Sequence, residues 1–267
     1  MRTIEMRPSN VLQKLRAGGI ATCFKMNLAD ARVAEIVAMT GFDCIWTDVE
    51  HVPNDWVVVE NIIRTAKAYD VDVLVRVERG SYSGYIRPLE MDAAGIMVPH
   101  CMGLDDAKQV VHMTRFHPVG RRPLDGGNAD GRYCRVPMAD YLKTANEQRL
   151  VVLQIEDPEP LAELDAIAAL DGVDMLFFGP GDFSQAIGAP GAWDHPDLLA
   201  ARRKVAATAV KHGKFAGTVG SPDNFDELAG LGYRFINVGA DVVGLARYGE
   251  ALLAAVEKHS VKNYGKG

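Results

Sequence analysis

Charged side chains in this sequence recur where apolar runs end. The stretch WTDVEHVPNDW (46–56) leaves such a run and reaches Asp48, Glu50 and His51. A carboxylate that hydrogen-bonds an imidazole fixes its tautomer and raises its basicity, so Asp48 and His51 form a candidate acid–base pair. A histidine resting on an exposed loop is the alternative interpretation.

Two further carboxylates follow strongly apolar runs, Glu156 at the end of LVVLQIE and Asp182 within FFGPGDFS. Carboxylates brought together without a cation repel and raise each other's pKa. A divalent ion would remove that conflict, since Mg²⁺ and Mn²⁺ prefer octahedral oxygen ligation. Glu156 and Asp182 are therefore candidate metal ligands, although Asp182 could instead cap the helix that follows.

An arginine and a glycine turn complete the candidate residues. Arg76 lies in the otherwise apolar run VDVLVRV, and a buried cation needs an anionic partner, which a substrate carboxylate or oxyanion would supply. Gly179 and Gly181 flank Pro180, and backbone N–H groups of such a turn can approach a substrate carboxylate. The same glycines could serve only a tight turn. His100 is not expected to bind metal, because no HExxH spacing surrounds it.

Eight short β-rich runs carry these side chains, from IATCFKM (20–26) to RFINVG (234–239), with helical patterns between them. This alternation predicts a parallel sheet covered by helices. Eight βα units in about 250 residues predict an α/β fold of one (β/α)8 TIM-barrel domain over residues 1–267, whose chemistry lies at the C-terminal strand ends. An open doubly wound sheet is the alternative, but the first βα turn lacks a GxGxxG loop.

The longest break in this pattern is residues 116–137, rich in Gly, Pro and Arg. A connection of this length is uncommon unless it is functional, so it is predicted to be an active-site loop.

Composition excludes several classes of protein. The net charge of −6 argues against a nucleic-acid partner. No apolar run approaches the roughly 20 residues needed to cross a membrane, and no secretory leader pattern occurs. The four cysteines form no CxxC pair. We therefore expect a cytoplasmic protein with neither membrane nor nucleic-acid partners.

Six motifs taken in order resemble one family: DVEHVPND, LVRV, VPH, the HPVGRRP loop, LVVLQIE and FFGPGDFS. Together they resemble the HpcH/HpaI aldolase family of metal-dependent class II pyruvate aldolases, over roughly residues 10–257. The resemblance implies a (β/α)8 barrel. It also implies a homohexamer, a trimer of dimers that exchange their last helix, here ADVVGLARYGEALLAAVEK (240–258).

By position, the resemblance implies that Glu156 and Asp182 bind a divalent ion, Mg²⁺, Mn²⁺ or Co²⁺. It places the catalytic histidine at His51, with Asp48 beside it, and the essential arginine at Arg76.

The resemblance also suggests substrate contacts. Gln154 resembles the family residue near the waters of the metal, and Gly179, Pro180 and Gly181 resemble the turn that receives the pyruvate carboxylate. Residues 124–135, LDGGNADGRYCR, depart from the family's GxGSALARA-like loop, which contacts the aldehyde half of the substrate.

The activity implied by the resemblance is cleavage of a 4-hydroxy-2-oxo acid to pyruvate and an aldehyde, with the metal as electron sink for the enolate. A Schiff-base aldolase would need a lysine at a strand end, and Lys25 is the candidate. A citrate-lyase-β-like enzyme acting on an acyl-CoA thioester is a further alternative, based on Arg121 and Arg122. A non-catalytic barrel is the third.

Overall fold

The computed structural model describes residues 4–260, with side chains up to residue 258. Eight parallel strands in this range form a closed barrel in chain order, in which the last strand pairs with the first. The predicted (β/α)8 fold is thus confirmed, and closure excludes the open sheet. The strands are β1 (Ala21–Lys25), β2 (Cys44–Asp48), β3 (Asp72–Arg76), β4 (Gly95–Val98), β5 (Leu150–Ile155), β6 (Met175–Phe178), β7 (Phe215–Val219) and β8 (Phe235–Ala240).

Helices separate the strands and cover the outside of the barrel. Several begin at a side chain that accepts a backbone N–H of the first turn, as Asp55 does from Val58. The α-helices of residues 4–260 are α1 (Asn10–Arg16), α2 (Ala31–Met39), α3 (Trp56–Ala68), α4 (Tyr82–Glu90), α5 (Leu104–Thr114), α6 (Met138–Gln148), α7 (Leu164–Ala168), α8 (Pro180–Ala186), α9 (Pro196–Lys211), α10 (Phe225–Gly230) and α11 (Asp241–Ser260).

Both faces of the strands are buried, one against the helices and one inside the barrel. Because side chains alternate along a strand, the inward residues of β2 are Cys44, Trp46 and Asp48. The first two belong to the apolar interior cluster, and the third is a buried carboxylate at the C-terminal end of the strand. Asp48 pairs in register with Arg76 of β3. The alternation therefore brings polar side chains together at one end of the barrel.

Helix α1 closes the opposite end. Its apolar residues Val11, Leu12 and Leu15 belong to the interior cluster. Asp72, at the start of β3, accepts hydrogen bonds from Ser9 Oγ at 2.6 Å and from the backbone N–H of Val11 at 2.9 Å. The polar residues at the two ends of the strands thus have different roles, since those at the N-terminal end hold helix α1 in place.

The long segment 116–137 also lies at the N-terminal ends of the strands. It follows helix α5 and leads through α6 into β5. Arg132 Nη1 lies 3.5 Å from Asp92, which precedes β4, and the backbone N–H of Asp130 donates to the carbonyl of Glu90 at the end of α4. The prediction of an active-site loop is therefore wrong for the chain's own barrel, because the break follows a helix and not a strand.

Helix α11 extends from the barrel with most of its apolar side chains exposed, among them Leu245, Leu252 and Val256. None of the helices within residues 4–260 combines the length and apolar character that a membrane crossing requires. The tail from residue 261 onward lies outside the described residues.

Candidate active site

An ion-pair network occupies the C-terminal ends of β1, β2 and β3. The Asp48 carboxylate is fully buried, accepts a hydrogen bond from the Arg76 guanidinium and lies 3.3 Å from Lys25 Nζ. Arg76 Nε lies 3.0 Å from Glu50 Oε2, an ion pair whose angle falls short of a hydrogen bond. Burial opposes ionisation of Asp48, but Arg76 and Lys25 hold its pKa below the ordinary value. The carboxylate is therefore a fixed negative charge.

Trp46 forms a platform beneath the two cations. Lys25 Nζ lies 4.9 Å and Arg76 Cζ 5.0 Å from the centroid of its ring, within cation–π range. Burial and the neighbouring Arg76 charge lower the pKa of Lys25, while Asp48 opposes that shift. From the sequence, Lys25 is a candidate only for imine formation, whereas in the structure it belongs to the network around Asp48.

Asp48 and His51 do not form the side-chain pair that the sequence suggested. Asp48 Oδ1 accepts hydrogen bonds from the backbone N–H groups of Glu50 at 2.9 Å and His51 at 3.2 Å. The acid near the imidazole is Glu50, with Oε2 3.6 Å from His51 Nε2. This expected contact is wrong because the chain turns back over the strand end, so the carboxylate caps the turn. The His51 side chain is 56% exposed and can be reached from solvent.

A second cluster joins the ends of β4, β5 and β6. Ligand atoms of His100, Glu156 and Asp182 all lie within 4.8 Å of one another. The two predicted carboxylates are thus brought together, and His100 joins them although the absence of HExxH spacing had set it aside. The useful signal was its place at the end of the strand next to β5. His100 Nδ1 bonds Asp157 Oδ2 at 2.8 Å, while Nε2 lies 3.8 Å from Glu156 Oε1.

The electrostatics of Glu156 favour a cation. Burial raises its pKa to about 7 and the Asp182 charge adds to the shift, although the backbone N–H of His100, the His100 ring and Arg76 oppose it. Glu156 Oε1 accepts the His100 N–H at 2.9 Å, and Oε2 accepts from the Gln154 amide. Gln154 Oε1 is buried and accepts no hydrogen bond from the residues within 4–260. Two carboxylates and an imidazole suit a divalent ion, so these residues fit a metal site.

The glycine turn shapes this cluster. A Cβ on Gly179 would overlap Glu156 Oε2 and lie 2.8 Å from Glu156 Cβ and 3.0 Å from Gln154 Nε2, whereas one on Gly181 would meet none of the described residues within 4 Å. The N–H of Gly179 donates to the carbonyl of Ile155, and Pro180 has none. Gly179 thus makes room for Glu156, while Gly181 supplies an N–H in the first turn of α8.

Fold and site together define a class: a (β/α)8 barrel enzyme whose acidic cluster, imidazole and buried arginine meet at the C-terminal strand ends. Comparison with known proteins identifies the family within that class. The sequence profile of the HpcH/HpaI aldolase/citrate lyase family matches residues 22–247.

Similar proteins agree with this match. A pyruvate aldolase of Rhizobium etli is 34% identical over 252 residues, covering 94% of this chain and 98% of that protein. A 4-hydroxy-2-oxo-heptane-1,7-dioate aldolase of Escherichia coli is 32% identical, covering 90% and 92%. A solved HpcH/HpaI aldolase/citrate lyase family protein of Burkholderia cenocepacia superposes with a TM-score of 0.85 at 32% identity, covering 93% and 99%.

The chain belongs to the HpcH/HpaI aldolase/citrate lyase family. The resemblance seen in its motifs is confirmed, and so is the prediction of a carbon–carbon lyase.

Proposed function

We propose that this chain is a metal-dependent class II aldolase that cleaves a 4-hydroxy-2-oxo acid into pyruvate and an aldehyde. The observation that carries the proposal is the cluster of His100, Glu156 and Asp182 at the barrel mouth, beside the buried Arg76. The names of the Rhizobium etli and Escherichia coli relatives support this substrate class.

Glu156 and Asp182 would hold a divalent ion, Mg²⁺, Mn²⁺ or Co²⁺, and His100 offers a third ligand atom. When bound, the ion supplies Lewis-acid stabilisation of the negative charge that develops as the carbon–carbon bond breaks. Gln154 would hold Glu156 in position, because its amide N–H donates to the Glu156 carboxylate. The Gln154 carbonyl oxygen can accept a hydrogen bond from a bound water.

Arg76 would bind the developing oxyanion of the 2-oxo acid. Its guanidinium is held on both sides, by Asp48 and by Glu50. A donor fixed in advance needs no reorganisation as charge develops, and this is the usual source of oxyanion stabilisation. In this arrangement Asp48 positions Arg76, a different role from orienting the histidine.

His51 would take the proton of the C4 hydroxyl in cleavage and return it in the reverse direction. Glu50 Oε2, 3.6 Å from Nε2, is placed to orient the ring as it closes on a substrate. The N–H of Gly181 in the first turn of α8 would receive the substrate carboxylate.

Exchange of α11 within a homohexameric trimer of dimers is part of the proposal. The side chains of Leu245, Leu252 and Val256 recur at helical spacing and are 62%, 51% and 62% exposed. An apolar stripe of this kind is typical of an interface, and a second copy of the chain would bury it. The cytoplasmic location stays a prediction.

The positions of Arg121 and Arg122 give less support to the acyl-CoA alternative. Arg122 is buried and donates to Asp130, and Arg121 contacts His117, both in the segment at the N-terminal ends of the strands. Neither can bind a nucleotide at the mouth of this barrel.

The test is pyruvate release from a panel of 4-hydroxy-2-oxo acids, with EDTA and metal add-back. Activity that disappears with chelation and returns with Mn²⁺, and that Glu156→Ala abolishes, is expected. Borohydride with pyruvate provides the contrast, because only an imine on Lys25 would be trapped. Activity that survives full chelation would rule out the metal-dependent reaction.

A further inference from the structure

Arg202, on helix α9, is a buried cation that forms no ion pair with any residue the structure describes. Its side chain is only 8% exposed, yet no carboxylate among the described residues forms an ion pair with it, and its Nε has no hydrogen bond. Four other buried arginines in residues 4–260 each pair with an aspartate: Arg76 with Asp48, Arg115 with Asp174, Arg122 with Asp130 and Arg149 with Asp92. An unpaired buried charge is costly, so an anion from outside the chain is a candidate partner.

Arg202 lines a cleft of about 470 Å³ between α9 and the loops that follow β6 and β7. Pro180, Trp193, Leu199 and Val219 give it apolar walls. The Trp193 side chain is exposed and would be covered by a ligand. Pro180 opens helix α8, which carries Asp182, so the cleft lies beside the candidate active site. Nothing in the proposed aldolase reaction uses Arg202.

The charges around the cleft limit the ligand. Asp194 and Glu227 also line it, and both are exposed to solvent. They repel a dianion more strongly than a monoanion. The guanidinium forms two parallel hydrogen bonds to a carboxylate, and the apolar walls favour a ligand with a hydrophobic body. We propose that this cleft binds a small monocarboxylate with an aromatic or aliphatic body, paired to Arg202.

Isothermal titration calorimetry of the full chain with Mg²⁺ tests the proposal, with benzoate as the probe and benzamide as its neutral counterpart. Benzoate binds and benzamide does not. Arg202→Gln weakens benzoate binding at least about tenfold, the effect of losing one charge-assisted pair. Arg203→Gln leaves binding unchanged, because Arg203 is exposed on the same helix.

Three binding results would overturn the inference. The first is that the wild-type chain does not bind benzoate. The second is that Arg202→Gln binds benzoate as well as the wild-type chain does, which would place benzoate at the Glu156 cluster. The third is that inorganic phosphate binds more tightly than benzoate. Thermal unfolding measurements check whether a change at Arg202 disturbs the fold. Arg202→Met should not lower the melting temperature, since it removes an unpaired charge. A large decrease would show that Arg202 already has a structural partner, and would also overturn the proposal.

Discussion

Gly179→Ala is expected to damage the proposed metal site without replacing a ligand, because the added methyl group displaces the Glu156 carboxylate. The added Cβ would overlap Glu156 Oε2 most closely, and it would lie 2.8 Å from Glu156 Cβ and 3.0 Å from Gln154 Nε2, where ordinary contact begins at 3.4 Å. These neighbours have little room to yield, because Glu156 and Gln154 are both buried and hydrogen-bonded to each other.

The size of the effect follows from this overlap. Relieving it moves the Glu156 carboxylate by roughly 0.5 Å or more, which is the limit of tolerance for a preorganised site. Displacing the support of a metal ligand typically costs 10- to 100-fold in metal affinity. We therefore expect the Mn²⁺ dissociation constant to rise by about 10- to 100-fold.

The assay is Mn²⁺ titration followed by electron paramagnetic resonance, which counts free ion and does not depend on turnover. Gly181→Ala is the matched control, because a Cβ there meets nothing within 4 Å, and it should keep the wild-type Mn²⁺ affinity. Equal affinities of the two variants would refute the geometric reasoning. Equal and undetectable binding by both variants and the wild-type chain would refute the metal site itself.

Three other predictions concern charge and assembly. Arg76→Met leaves the buried Asp48 short of a partner and should lower the unfolding free energy by about 3–5 kcal/mol; urea denaturation measures this, and the added change Asp48→Asn should restore much of it. The raised pKa of Glu156, about 7, keeps a proton on the metal-free site below that pH, so Mn²⁺ affinity should fall at least about tenfold per pH unit below 7. The raised pKa of the His100 ring adds to this fall. A flat profile from pH 5.5 to 8 contradicts this. Leu245→Glu should dissociate the proposed oligomer and lower the mass measured by light-scattering chromatography, whereas Glu250→Gln should leave that mass unchanged. An unchanged mass for both variants argues against α11 as the interface.

Much of the barrel could be predicted from the sequence because its determinants are local. Strand runs, helix caps and the alternation of side chains along a strand depend on neighbouring residues, so Asp48, Arg76 and Glu156 could be placed at strand ends in advance. Because the strands lie side by side in a closed sheet, residues at the same end of different strands come close together. Asp48 and Arg76, for example, are paired in register on β2 and β3.

Other features depend on contacts between elements and could not be read from spacing. His100 joins Glu156 because β4 and β5 are neighbours in the barrel. The Asp48 carboxylate turns to the main chain and to Arg76 because these donors surround it. Nothing in the sequence distinguishes Arg202 from other arginines. Its lack of an ion pair can be recognised only in the structure, where other buried arginines pair with aspartates.

The charge balance of the barrel mouth gives a physical reason for the proposed divalent ion. Two cations, Lys25 and Arg76, face the carboxylates of Asp48, Glu50, Glu156 and Asp182. Asp48 and Glu50 already neutralise the cations, so Glu156 and Asp182 remain, and they would repel a 2-oxo acid anion. Protonation of Glu156 at its raised pKa relieves only part of that repulsion. A divalent ion would cancel both remaining charges, while Asp48 and Glu50 keep Arg76 fixed as the proposed oxyanion donor.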